Sequence, residues 1–73
     1  MATPADLANW FTYHAPFGDQ AERYGKIREA AREFAAVVLA ATPACADQTA
    51  CLRMIREAVM AANQTIACNE RES

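Results

Sequence analysis

Two long segments, in which apolar residues recur every three or four positions, constrain the fold of this chain most strongly. The first segment has Tyr24, Ile27, Ala31, Phe34, Val38 and Ala41 at that spacing. The second has Leu52, Ile55, Val59, Ala62 and Ile66, and the polar Asn69 stands at the next position of the same series. This period predicts two helices, each with one apolar side. Thr42 and Pro43 separate them, and proline disfavours helical geometry in the preceding residue. Since so short a connection makes neighbouring helices antiparallel, the sequence predicts a helix hairpin.

A shorter helix is predicted before the hairpin. Thr3 is a good capping residue, Pro4 suits the first helical position, and Asp6 favours the positive end of the helix dipole. These residues predict a first helix over about 4–11. Residues 12–18 contain a proline and a glycine and are therefore predicted to form a loop.

The ends of the two long helices are also marked by acidic residues. Asp19 with Glu22 three positions later is an aspartate version of the capping box, which predicts a second helix over about 19–41. Asp47 is a plausible cap for a third helix over about 47–70. The fold class predicted for residues 1–73 is therefore all-α, as a single helical domain.

The predicted hairpin is too thin to bury its own apolar surface. The chain has 73 residues, of which 53% are hydrophobic, and many of these are alanines that bury little area each. A second stripe lies beside the apolar side of the third helix: Cys51, Met54, Ala58, Ala61, Thr65 and Cys68. One partner helix cannot cover both stripes, and an exposed apolar patch usually marks an interaction site. We therefore expect a helical homo-oligomer.

Composition excludes several classes of protein. A net charge of −2 and a pI near 5.2 argue against a general coat for nucleic-acid polymers. Three cysteines without paired spacing and a single histidine predict free thiols in a reducing cytosol, and no metal or other cofactor. Residues 1–10 lack the features of a signal peptide, and the apolar run over 34–42 is too short to span a membrane. A soluble, cytoplasmic protein is expected.

Candidate binding residues lie in an aromatic loop and in the basic segment that follows it. Trp10, Phe11 and Phe17 favour a small core at the end of the hairpin, whereas Tyr13 and His14 carry polar tips next to a helix start. The basic residues that follow are Arg23, Lys26, Arg28 and Arg32. These basic residues could form a solvated face with salt bridges to nearby glutamates, or a site where a tyrosine stacks on a base and a cation binds a phosphate. Spacing alone favours the solvated face. No catalytic arrangement stands out, so an enzyme is not predicted.

Several motifs in order change that balance. They are FTYHxP at 11–16, QxxRYxxIR at 20–28, Pro43 at the turn, EAVMxAN at 57–63 and IAxNE at 66–70. Together they resemble the phage-encoded anti-CBASS cyclic-nucleotide sponges, over nearly the whole chain. The resemblance implies a homohexamer that sequesters cyclic di- and trinucleotides, such as cyclic GMP-AMP, without cleaving them. Such a protein blocks bacterial anti-phage immunity in the cytoplasm of the infected host.

The resemblance also implies roles for individual residues. The cyclic dinucleotide would lie between subunits, with Tyr13 stacked on a base and His14 and Thr12 in the same motif. Arg28 is the first choice for the phosphate and Lys26 the second. The alternative interpretation remains a small helical oligomeric adaptor or regulatory protein with no nucleotide ligand.

One departure from the family pattern concerns the cyclic trinucleotide. The pattern has an arginine before the Asn-Glu pair, in a separate trinucleotide site, and this chain has Cys68 there, followed by Asn69. A thiol cannot replace a guanidinium at a phosphate. We therefore expect trinucleotide binding at Cys68 and Asn69 to be weakened or lost.

Overall fold

The computed structural model describes residues 1–70, and over that range it is all-helical with three helices. Helix α1 spans Pro4–Trp10, α2 spans Gln20–Ala41 and α3 spans Ala46–Asn69. Helices α2 and α3 pack along each other, and α1 contacts α3. The prediction of a short helix followed by a long hairpin is confirmed, and each predicted helix end lies within one residue of the observed one.

The helix starts differ in how they are capped. The Thr3 hydroxyl accepts the Asp6 N–H at 3.1 Å, and the Asp6 carboxylate accepts the Thr3 N–H at 2.9 Å, so α1 begins as predicted. The capping box predicted for Asp19 and Glu22 was wrong. Asp19 occupies the cap position, but its side chain makes no cap hydrogen bond. Its carboxylate instead accepts from Arg23 Nε at 3.0 Å, because a guanidinium is a stronger donor than a backbone amide.

A glutamine that the helical period does not single out holds the hairpin turn. Gln48 Nε2 donates to the Thr42 carbonyl at 3.1 Å and to the Leu39 carbonyl at 3.3 Å. These carbonyls end α2 and have no donor within the helix. The cap predicted for Asp47 was wrong: Cys45 occupies the cap position of α3 without a side-chain hydrogen bond, and Asp47 lies in the first turn.

Helix α1 is attached to the outer side of α3 by polar contacts. Asn9 Nδ2 donates to the Cys68 carbonyl at 2.8 Å, and Gln64 Nε2 lies 3.3 Å from the Trp10 carbonyl. The Gln64 amide also lies 3.0 Å from the Cys68 sulfur. These contacts join the end of α1 to the end of α3. They therefore hold the first residue of the following loop close to the end of α3.

The core is small. Within residues 1–70, only Gln20, Ile66 and Cys68 are buried. The radius of gyration is 15.4 Å, whereas a compact chain of this length has about 11 Å. The accessible surface is 5790 Å², whereas a compact protein of this mass exposes about 4,500 Å². The hairpin is therefore elongated and exposes much more surface than its length requires.

The two broad faces of the hairpin differ in charge. The neutral face has a shallow depression between the helices, and none of the residues around it is charged: Ile27, Ala30, Ala31, Phe34, Ile55, Ala58, Val59 and Ala62. On the other side, the arginine face has a depression bordered by Arg28, Arg32 and Arg56. No helix within residues 1–70 is both long and apolar enough to cross a membrane.

Replacing Gln48 should loosen the turn. In Gln48→Ala, the carbonyls that end α2 lose their side-chain donor, so we expect the free energy of unfolding to fall by about 1–2 kcal/mol. Urea denaturation followed by far-UV circular dichroism, at one fixed protein concentration, measures this change. The matched control is Glu57→Ala on the exposed side of α3, which should stay within about 0.5 kcal/mol of the original protein. Equal effects of the two substitutions would show that Gln48 does not hold the turn.

Candidate ligand-binding site

The loop between α1 and α2 presents one aromatic ring to solvent. The Thr12 hydroxyl donates to the Ala8 carbonyl, and His14 Nε2 lies 2.7 Å from the Asn9 carbonyl, so a ring N–H donates there. Between these two anchored residues, the Tyr13 side chain is 84% exposed. Thr12 and His14 thus hold the loop to α1 and orient Tyr13 outward.

A cavity of about 270 Å³ opens beside Tyr13. It is lined by Tyr13, His14, Ala15, Phe17, Gln20, Ala67 and Glu70, and we call it the Tyr13 cavity. Its wall is ordered by Gln20, whose side chain is 3% exposed. The Gln20 Oε1 accepts the Phe17 N–H at 3.1 Å, and its Nε2 donates to Glu70 at 3.0 Å. One amide therefore joins the loop, the start of α2 and the end of α3.

An ion pair closes the same end of the hairpin. Both Arg23 Nη atoms donate to the Glu70 carboxylate, one of them at 2.8 Å to Oε2. Arg23 Nε also donates to Asp19. The hydrogen bonds from Arg23, with a further one from Gln20, lower the pKa of Glu70 from 4.5 to about 2, and the pKa of Arg23 is raised well above its usual range. Arg23 is therefore fully engaged, and sequence reasoning missed this structural role.

A second cavity, of about 290 Å³, adjoins the first. We call it the Arg28 cavity, and its lining consists of Ala21, Tyr24, Arg28, Asn63, Gln64 and Ala67. Ala67 lines both cavities, so they are neighbours. The Arg28 side chain is exposed and forms no ion pair with any of residues 1–70. Arg28 therefore lies next to the Tyr13 cavity with its guanidinium uncommitted.

Lys26 is placed differently. Residues two apart on a helix point about 200° away from each other, so Lys26 lies on the opposite side of α2 from Arg28. Its ammonium lies 3.5 Å from a Glu22 carboxylate oxygen, and both side chains are largely exposed. Lys26 lines neither of the two cavities, whereas Arg28 lines the second.

Asn63 is a polar group at the Arg28 cavity that sequence reasoning did not assign to a site. Its side-chain Oδ1 is buried and has no hydrogen-bond partner within residues 1–70. The residue belongs to the EAVMxAN motif, so the motif was visible, but its position opposite Arg28 depends on the register of the hairpin. An unsatisfied buried acceptor raises the free energy of the site until a donor reaches it.

The aromatic core expected around the loop forms only in part. Phe17 is half-buried, but Phe11 is 83% exposed and Trp10 is also exposed. The prediction was therefore wrong for Phe11, whereas Trp10, which is 43% exposed, is covered in part. Because α1 ends at Trp10, Phe11 occupies the C-terminal capping position, where its side chain is exposed.

Among the described residues, Cys68 and Asn69 lie in different environments, the first buried and the second exposed. Cys68 is 3% exposed and lies under α1, in contact with Asn9 and Gln64. The Asn69 amide donates to the Thr65 carbonyl at 2.9 Å on the exposed side of α3. At this position the chain has a buried packing residue instead of an accessible cation.

The described residues hold no grouping of three or more histidine, cysteine or acidic side chains that could bind a metal ion. Comparison of the chain with protein-family models, curated proteins and solved structures found no match. The functional interpretation therefore depends on the geometry of the two cavities and on the motifs that surround them.

The Arg23–Glu70 pair should make stability depend on acid pH. Because the pKa of Glu70 is lowered from 4.5 to about 2 in the folded chain, its stabilising effect is complete above pH 4.5 and is lost as the pH falls through 2. In Glu70→Gln, the melting temperature should therefore fall less steeply than in the original protein over this range. Thermal unfolding at a series of pH values measures the slope.

The control for this pH series is Glu29→Gln. Glu29 is an exposed carboxylate on α2 that forms no ion pair within the described range. This variant should keep the slope of the original protein. If Glu70→Gln and Glu29→Gln change the slope equally, the Arg23–Glu70 ion pair does not contribute to the acid response.

Proposed function

We propose that the chain is a cyclic-oligonucleotide sponge. It would bind cyclic dinucleotides such as cyclic GMP-AMP between its own subunits and hold them without cleavage. In the cytoplasm of an infected bacterium, this binding would keep the signal from reaching the effectors of CBASS immunity. The observation that carries the proposal is the exposed Tyr13 ring, held beside a cavity that adjoins the cavity of Arg28, which forms no ion pair with any of residues 1–70.

Tyr13 has the properties of a stacking platform. An aromatic ring that is 84% exposed gains little from its own chain, and a nucleobase stacked on it contributes about 1–3 kcal/mol. The hydrogen bonds of Thr12 and His14 hold the loop, so less conformational entropy is lost when the base arrives.

Arg28 suits the phosphate. A guanidinium offers two parallel donors to phosphate oxygens and stays charged at every physiological pH. Because Arg28 has no acidic partner among residues 1–70, no existing ion pair has to break when a phosphate binds. A protein with a net charge of −2 binds a small anion in this way through one local cation.

The surface area supports an oligomer. The chain exposes more than about 1,000 Å² beyond the surface of a compact protein of its mass, and a typical interface covers about 800 Å² on each partner. The neutral face, which includes the exposed Phe34, suits self-association, since two neutral surfaces meet without charge repulsion. The hexamer is suggested by the resemblance alone.

The groups around the Tyr13 cavity favour binding over catalysis. His14 is hydrogen-bonded to the Asn9 carbonyl, and Glu70 is held by Arg23 and Gln20. A lowered pKa makes Glu70 a poor general base, because proton transfer works best with a pKa near the ambient pH. The alternative function, an adaptor without a nucleotide ligand, is favoured by the same exposed apolar surface.

A retention experiment separates these functions. The purified protein is incubated with cyclic GMP-AMP, freed of unbound nucleotide by size exclusion and digested with protease, and the released nucleotide is chromatographed. We expect intact cyclic GMP-AMP only from the protein fraction. Linear product would indicate a phosphodiesterase, and an empty protein fraction would favour the adaptor.

Substitution of Tyr13 tests the stacking residue. In Tyr13→Ala, calorimetry should show affinity for cyclic GMP-AMP reduced about tenfold or more, with the oligomer unchanged by light scattering. Phe11→Ala is a close control, because Phe11 is an equally exposed aromatic residue two positions away. If Tyr13→Ala and Phe11→Ala lose equal affinity, Tyr13 is not the stacking residue.

Arg28→Ala should weaken binding of cyclic GMP-AMP more than Lys26→Ala does. If Arg28→Ala and Lys26→Ala lose equal affinity, the assignment of Arg28 to the phosphate is wrong.

A further inference from the structure

The arginine face carries an open groove that the proposed nucleotide site shares only at Arg28. The groove, of about 470 Å³, runs between α2 and α3. Its floor is aliphatic and includes Ala35, Leu52 and Met60, and its edges carry Arg28, Arg32 and Arg56. We call it the arginine groove. Only its Arg28 end is shared with the Arg28 cavity.

Within residues 1–70, the three guanidinium groups at this groove have no acidic partners. None of them forms an ion pair with residues 1–70, although both helices contain glutamates. Arg28 and Arg32 lie one turn apart on the α2 edge, and Arg56 lies on the α3 edge. Cations therefore stand on both sides of an apolar floor, a pattern that attracts a molecule with an apolar centre and acidic flanks.

The geometry points to an amphipathic acidic helix of a partner protein as the occupant of the arginine groove. A helix laid between α2 and α3 would complete a three-helix bundle and cover the floor with its apolar stripe. Aspartate or glutamate side chains on both sides of that stripe would pair with Arg32 and Arg56. Guanidinium and carboxylate match as bidentate partners, so the arginines specify acidic flanks.

A second copy of the chain fits the groove less well. Two copies that met groove to groove would set Arg28, Arg32 and Arg56 against the same cations. The residues around the depression on the neutral face include no acid to pair with them. The outer side of α2 has Glu29 and Glu33, but its next positions on that side are Ala36 and Ala40, which fill little of an apolar groove.

A nucleotide also fits poorly, because the floor offers its base edges no donor or acceptor other than the guanidinium groups. Unpaired base edges would lose their hydrogen bonds to water without replacement. The inference is therefore independent of the proposed sponge function. Either could fail while the other holds, since only Arg28 is common to both.

The probe is a synthetic amphipathic helix of about five turns, or roughly 18 residues, with a leucine stripe flanked on both sides by glutamates. A second peptide keeps the leucines and replaces every glutamate with lysine. Fluorescence anisotropy with the labelled peptides should show saturable binding of the acidic peptide alone, which weakens as salt is added. Arg32→Glu and Arg56→Glu should each reduce its affinity about tenfold or more.

Arg53→Glu is the matched control, because Arg53 is an exposed arginine on α3 outside the groove lining. It should leave the affinity of the acidic peptide unchanged. The doubly reversed variant Arg32→Glu/Arg56→Glu should instead prefer the lysine peptide, and its far-UV circular dichroism should match that of the original protein, which shows that it remains folded.

Several results would overturn the inference. These are failure of the acidic peptide to bind the original protein, equal binding of the lysine peptide, or an equal loss in Arg53→Glu. A change of oligomeric state in Arg32→Glu or Arg56→Glu, measured by light scattering, would identify a second copy as the occupant and would overturn it as well. Retention of cyclic GMP-AMP by Arg56→Glu keeps this test separate from the sponge proposal.

Discussion

The packing of α2 against α3 along a single seam is the constraint on which the rest of this molecule depends. Each long helix can turn one side toward the other, and within residues 1–70 only α1 covers part of what is left, at the end of α3. Tyr24, Ile27 and Val59 are only half-buried even within the seam, and the large apolar residues beside it, such as Phe34 and Met60, are exposed. A chain with so little interior gains stability when other molecules cover its faces, since apolar burial is the main favourable contribution to folding.

The hairpin is held at its two ends by polar side chains rather than by a core. At the turn, Gln48 supplies donors to the carbonyls that end α2. At the open end, Gln20 and Arg23 at the start of α2 bind Glu70 just beyond α3. These contacts fix the register of the hairpin, and the same register brings Ala67 between the Tyr13 cavity and the Arg28 cavity. Structure and candidate function therefore depend on one set of hydrogen bonds.

The exposed surfaces of this thin fold differ from one another in charge. The depression on the neutral face is lined without charge, the arginine groove carries cations that form no ion pair within residues 1–70, and the Tyr13 cavity combines an aromatic ring with an ion pair that is already satisfied. These differences are the basis for the three kinds of contact that we propose, with a second copy, with an acidic helix and with a cyclic nucleotide. A small hairpin could in this way bind several molecules without a large interior.

The sequence by itself determined the helices and the turn. Apolar residues at helical spacing and a proline at position 43 leave few other folds, and the predicted ends lie within one residue of the observed ones. The N-terminal cap at Thr3 was also predictable, because Thr3 and its hydrogen-bond partner Asp6 are only three residues apart in the sequence. Such features depend on local spacing, which can be read along the chain.

Only the tertiary structure decided which side chains meet. The capping role expected for Asp19 was lost to Arg23, and Arg23 itself is engaged by Glu70, a residue 47 positions away. Cys68 lies under α1, and Arg28 rather than Lys26 lies beside the Tyr13 cavity. Periodicity shows which side of a helix is apolar, but it does not show how far one helix slides along another. The register comes from long-range hydrogen bonds and packing, and those are set only when the chain is folded.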